Sequence, residues 1–210
     1  MKENKRAVWS WAFYDWANSA YSSTVMAGFF PLFFKEYWAD PNNPNQSTFY
    51  LGMANSIASI VVATLAPLLG AVADQGSAKK KFLALFSFLG VIMTGGLWMV
   101  AQGNWQMAVL FYVIATVGFS NGIIFYDSLL PGLATEERVD AVSSLGFGLG
   151  YLGGGLLFLV NVFMYLKPEI FGIPDGATAI KLSFLSVAVW WAVFTICLLY
   201  TSDAADDTPC

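Results

Sequence analysis

Hydrophobic runs long enough to cross a membrane recur along the whole chain, and this repetition limits the fold more than any single motif. A bilayer offers no water to backbone N–H and C=O groups, so a spanning segment must satisfy them within itself, as a helix of roughly 20 apolar residues. About six stretches reach that length, near 8–34, 49–72, 82–102, 105–128, 142–166 and 180–200. Only 11% of the residues are charged, whereas soluble domains carry about 25%. The fold class expected is therefore an all-α integral membrane protein, a multi-pass six-helix bundle with the lipid bilayer as its first partner. Nothing in the charge pattern calls for nucleic acid.

The connections carry the remaining polar residues. ADPNNPNQS (39–47) is turn-rich, and DQGSAKKK, PGLATEERVD and KPEIFGIPDG hold most of the charge. Lys2, Lys5, Arg6, Lys79, Lys80, Lys81 and Arg138 fall at one set of span ends, while Lys35, Lys167 and Lys181 fall at the other. Cationic loops favour the cytoplasm, which predicts a cytoplasmic N-terminus. The N-terminal apolar segment is too long for a cleaved signal and is interrupted by Asp15 and Asn18, so it reads as a retained first span. There is no His, and Cys197 and Cys210 have neither disulfide-framework nor zinc spacing. The expectation is no metal and no cofactor.

Polarity inside the spans is more informative, because an intramembrane Asp costs about 2.5–3.5 kcal/mol at a helix centre. On the first span Asp15, Asn18, Ser19 and Ser22 share a helical face; on the fourth, Tyr112, Thr116, Ser120 and Asp127 do, with Asn121 beside them. Two such stripes should face each other or a watery cavity rather than lipid, with interhelical hydrogen bonding as the plainer alternative. The second span carries a small-residue stripe through Gly52, Ser56, Ser59, Ala63, Ala66 and Gly70, and the fifth repeats Gly146, Gly150 and Gly154. Small residues let membrane helices approach closely. GLGYLG (148–153) fits a dinucleotide-loop pattern but sits in mid-membrane with no strand before it. The six spans therefore sort with a period of three: one and four polar-faced, two and five small-faced, three and six lipid-compatible. Two inverted three-helix repeats form each half of major facilitator transporters.

GAVADQGSAKKK (70–81), between spans two and three, resembles the loop signature of the major facilitator superfamily. WAFYDWANSAY (11–21) and FYDSLLP (125–131), with GYLGGG, resemble the vacuole-effluxer branch, which includes the autophagy-related vacuolar amino acid permease and bacterial relatives. The resemblance implies the N-terminal half of a major facilitator fold and secondary transport of a small solute by alternating access, with amino acid efflux as the substrate reading. It places Asp15, Asn18, Ser19, Ser22, Tyr112, Thr116, Ser120 and Asn121 along the route of solute or ion, and Asp127 at the cytoplasmic mouth. Gly70, Asp74, Gly76, Lys79 and Lys80 would form the cytoplasmic gate loop. Gln75 stands where the signature has a basic residue, and the fourth span has no Arg. If a proton is the coupling ion, Asp15 is its carrier.

Members of this superfamily have about twelve spans. The small faces of spans two and five are therefore expected to await a partner outside the chain, either a missing C-terminal half or a second copy. The organisation read from the sequence is a cytoplasmic N-terminus (1–7), a six-span bundle (8–200) and an unstructured tail foreign to the protein (201–210), where LLYTSDAADDTPC turns abruptly polar. A bacterial cytoplasmic membrane is the expected location. No enzyme is expected. The repeated FYD at Phe13–Asp15 and Phe125–Asp127 admits an intramembrane aspartyl protease, but the GxGD element such enzymes need is absent. A non-transporting membrane subunit is the other alternative.

Overall fold

A computed structural model describes residues 4–40, 42–74 and 78–206, and every regular element among them is helical. Six helical rods follow one another, one for each expected span. Five are single helices long and apolar enough to cross a membrane: Pro44–Ala73, Lys79–Met99, Trp105–Leu133, Val139–Leu166 and Gly176–Tyr200. The first rod is helical without a break but changes pitch. An α segment (Lys5–Ala20) passes into a nine-residue π segment (Tyr21–Phe29), a short α turn (Phe30–Phe33) and a second π segment (Phe34–Trp38).

Local chemistry fixes the ends. Asn43 accepts from the Gln46 N–H at 3.2 Å, with Pro44 as the first helical residue, so span two starts on a side-chain cap followed by a residue with no N–H to satisfy. Asn104 caps span four through the Met107 N–H. Asp175 caps span six, its Oδ1 2.7 Å from the Thr178 N–H, and that donor holds its carboxyl below the usual carboxylate range. The caps of spans two and six lie outside the apolar runs, so these helices start several residues before their expected limits, while span four runs on to Leu133 and span five starts at Val139. The sixth helix also continues to Asp206. Residues 201–206 are therefore helical rather than unstructured, carried on by Ala204 and Ala205, which are strong helix formers. Residues 207–210 lie outside the described residues.

Packing follows a symmetric scheme. Span one lies along five and six, span four lies along two and three, and three and six pack on each other. Exchanging the first three spans with the last three maps this pattern onto itself, as paired three-helix repeats require. The pattern also fixes relative direction. Span one meets span five in parallel, with Trp11 against Gly146 and Ser23 against Gly154; span two meets span four in parallel, with Tyr50 stacked on Trp105 and Asn55 bonded to Tyr112. Spans three and six oppose each other, Gly90 lying under the Trp191 ring. At the end far from the N-terminus, the Lys181 ammonium sits 5.8 Å from the centre of the Tyr37 ring and 5.6 Å from that of Trp98, tying spans one, three and six by cation–π contacts.

Candidate functional site

The first span presents two polar edges rather than one. Tyr14, Asn18 and Tyr21 turn into the bundle: Tyr14 and Tyr21 are fully buried and Asn18 is 2% exposed. The Tyr14 hydroxyl shares a 2.7 Å hydrogen bond with Ser87 of span three, and Tyr21 shares one of 2.9 Å with Thr116 of span four. Asp15, Ser19 and Ser23 turn the other way and face span five, and all three are half-buried, as is Ser22. Ser19 donates to Asp15 Oδ1 at 3.2 Å. Ser22 and Ser23 both donate to the Ser19 carbonyl, at 2.9 and 2.8 Å. Such back-bonding offers the carbonyl a partner other than the next helical turn, and the π segment begins two residues after it. The row of hydroxyls is thus the local reason for the change of pitch.

Spans one and four adjoin, but through rings rather than backbone. Trp11 stacks on Tyr126 at 4.3 Å and donates its indole N–H to the Tyr126 carbonyl at 3.0 Å. Tyr14 lies 4.9 Å from Tyr126, Tyr21 lies 5.2 Å from Phe119, and Phe30 stacks on Tyr112 at 4.0 Å. The ladder runs antiparallel, which brings both FYD triplets to the same end of the bundle.

The expected fourth-span stripe is divided in the same way. Tyr112 and Thr116 are buried, Tyr112 donating to Asn55 at 2.9 Å and Thr116 to the Tyr112 carbonyl at 2.8 Å. Asn121 is wholly buried and gives its amide to the Val117 carbonyl of its own helix, leaving its Oδ1 without a partner. Ser120 is half-buried and Asp127 exposed. Asn18, Thr116 and Asn121 therefore belong to the packed interior, while Asp15, Ser19, Ser22, Ser120 and Asp127 keep access to the surface. A strict i, i+3, i+4, i+7 reading merges these edges, because neighbouring helical positions differ by only about 100°. The stacking of Tyr126 on Trp11 and against Tyr14 brings the segments that carry Asp15 and Asp127 to the same end, and neither carboxylate forms an ion pair among the described residues.

The glycine faces part company. A Cβ added at Gly150 would stand 2.8 Å from both Asp15 Oδ2 and Ser19 Oγ, one at Gly154 2.9 Å from Ser23 Oγ, and one at Gly153 on the Trp16 carbonyl. The fifth span's small face is therefore occupied within the chain by span one, against the expectation that it awaits a partner elsewhere. Hydrogen side chains leave the only room that Asp15 and its serines can fill. The second span's face stays open, with nothing within 4 Å of a Cβ at Gly52 or Gly70, and with Ser56 and Ser59 exposed.

In the loop between spans two and three, Lys79 donates to the Ser128 carbonyl at 2.8 Å, fastening the start of span three to the end of span four beside Pro131. Lys80 is half-buried. The Asp74 side chain and Gly76 lie outside the described residues.

Tyr14, Tyr21 and Tyr126 escaped the sequence reading. The repeated FYD held the signal for two of them, since a Tyr before each Asp carries a polar tip on a ring large enough to bridge two helices.

Comparison with known proteins points one way. A family profile described as "vacuole effluxer Atg22 like" matches residues 3–208. The uncharacterized MFS-type transporter YxiO of Bacillus subtilis is 40% identical over 198 residues, covering 93% of this chain and 46% of that protein. An uncharacterized protein of Aquifex aeolicus is 25% identical over 86% of this chain and 43% of its own length. Autophagy-related protein 22 of Pichia angusta is 24% identical over 87% of this chain and 35% of its own. The chain thus spans less than half the length of each of these relatives. No solved structure matches it.

Proposed function

The chain belongs to the Atg22-like vacuole effluxer family, and on that footing we propose that it forms one half of a secondary transporter working by alternating access. The observation that carries the reading is the half-buried Asp15–Ser19–Ser22 edge. It is an unpaired carboxylate and a run of hydroxyls between spans one, four and five, with exposed Asp127 close by. An intramembrane carboxylate is retained where it meets water, solute or ions. Ser120 belongs to the same route. Asn18, Tyr112, Thr116 and Asn121 act from behind it, holding spans one and four in register rather than touching solute.

The family description, vacuole effluxer, favours efflux, and we read the cargo as a small solute, with an amino acid as the finer reading that the sequence resemblance implies. The open face through Gly52, Ser56, Ser59 and Gly70 would seat the remaining half of the transporter or a second copy, consistent with the greater length of the relatives. Lys79, clamped on the Ser128 carbonyl, and the loop from Gly70 through Asp74 and Lys80 would form the gate at that end. The excess of Lys and Arg at the same end favours its lying in the cytoplasm, with a bacterial cytoplasmic membrane as the location.

The test is aqueous access. In a background with Cys197 and Cys210 changed to Ser, Ser22→Cys and Ser120→Cys should react with a membrane-impermeant maleimide at least tenfold faster than Leu159→Cys, an apolar position within span five that is 65% exposed. Rates equal to that of Leu159→Cys would mean a sealed polar edge, leaving a non-transporting membrane subunit as the reading.

A further inference from the structure

Tyr126 is 4% exposed, and its hydroxyl has no hydrogen-bond partner. A buried, unpaired hydroxyl costs about 1–3 kcal/mol unless something completes it. The ring is fixed on both sides, stacked 4.3 Å from Trp11 and 4.9 Å from Tyr14, so the hydroxyl cannot swing away to find a partner. It points at span five, where a Cβ on Gly146 would lie 3.1 Å from it. One turn further along the same helix, a Cβ on Gly150 would lie 2.8 Å from Asp15 Oδ2 and from Ser19 Oγ. The orphan hydroxyl, the carboxylate and the serine therefore line successive turns of one glycine cradle, and side chains at 146 or 150 would fill it. Asp127, the residue after Tyr126, is exposed at the same end of the bundle, where the Tyr126 ring stacks on Trp11 and lies against Tyr14, the neighbour of Asp15.

We infer that Asp15, Tyr126 and Ser19, with Asp127 at the entrance, form a binding site for a small monovalent cation at this end of the route. Every ligand is oxygen, which suits a hard cation rather than a transition metal. No group of three His, Cys, Asp or Glu residues able to hold a metal ion occurs among the described residues. The same oxygens would accept the N–H donors of a solute's ammonium group or coordinate an alkali ion. Tyr126 is the selective element: its hydroxyl completes a coordination shell that two carboxylates on different helices leave open. The inference rests on the transport reading above and gives the charge of what that route takes.

The test uses the full chain in lipid nanodiscs, titrated with NaCl or with methylammonium chloride against N-methylglucamine chloride at constant ionic strength. Either cation should raise the thermal unfolding midpoint saturably. Tyr126→Phe and Asp15→Asn should each raise the half-saturating concentration at least tenfold. Tyr126→Phe should leave the cation-free midpoint unchanged or higher, since it removes an unpaired polar atom and keeps the ring. Saturation by Na⁺ alone identifies a coupling ion, by methylammonium alone a solute amine, and mutual competition one site for both; all three support the inference. No saturable effect of either cation, or Tyr126→Phe binding as tightly as the native chain, overturns it. The assay requires no translocation, so such a failure with intact maleimide labelling at position 22 rejects the cation site and leaves the transport reading standing.

Discussion

Three glycines on the fifth span should respond to the same substitution in graded fashion. Gly148 has nothing within 4 Å of an added Cβ, Gly150 would meet the tips of Asp15 and Ser19 at 2.8 Å, and Gly153 would meet the Trp16 carbonyl and, at 2.6 Å, its Cγ. All three lie inside one helix, so the gain in helix propensity from Gly→Ala, about 1 kcal/mol in water, is common to them and cancels in comparison. What remains is steric. At Gly153 the obstacle is backbone and a ring held against Trp190, so spans one and five must separate at an overpacking cost of about 1–3 kcal/mol. That is roughly a 5- to 150-fold change in the unfolding equilibrium. At Gly150 the obstacles are side-chain ends that can rotate, so a smaller loss is expected. Gly148→Ala should be neutral or stabilising. Unfolding by SDS titration in mixed micelles, followed by far-ultraviolet circular dichroism, would give the three midpoints. Equal midpoints, or a Gly153→Ala chain as stable as Gly148→Ala, would refute the close parallel contact between spans one and five.

Other outcomes follow from single contacts. Tyr21→Phe removes the 2.9 Å bond to Thr116 but leaves Thr116 bonded to the Tyr112 carbonyl, so the loss should be about 0.5–1.5 kcal/mol by the same titration. Asp175 has its carboxyl held down by the Thr178 N–H in the folded state, so its capping contribution is present above the unfolded pKa and is lost as pH falls through the lower folded value. Thermal midpoints between pH 2 and 6 should show that dependence in the native chain and lose it in Asp175→Asn. Lys79→Met should free the 128–133 turn from the start of span three, read as faster trypsin cleavage at Arg138 with unchanged helix content.

The sequence exposed the architecture well because a bilayer permits so few solutions. Length and hydropathy located each rod, and the period of three in face character agrees with the paired contacts of one with five and four with two. Side-chain direction was less legible. Asp15 and Asn18 are one turn apart and read as one stripe, yet the first meets glycine on span five and the second is sealed against the interior. Hydropathy could not reveal this, because it depends on how deeply the Trp11, Tyr14 and Tyr126 rings push spans one and four apart. The change of pitch after Ala20 was equally hidden, since it arises from two hydroxyls competing for one carbonyl. Fifth-span glycines were recognised as a packing face but assigned to the wrong neighbour. Spacing shows that a helix can be approached closely without saying by which helix.

The stacked rings between spans one and four have a mechanical meaning. Span one is sutured to five by glycine, span four is joined to two and three, and three and six meet behind them, so the molecule resembles two leaves sharing a spine. Opening the leaves at the Asp15–Asp127 edge would slide aromatic faces apart, each pair worth about 0.5–1.5 kcal/mol, and leave the glycine suture untouched. A few such pairs together resist separation of spans one and four more through ring contact than through backbone contact.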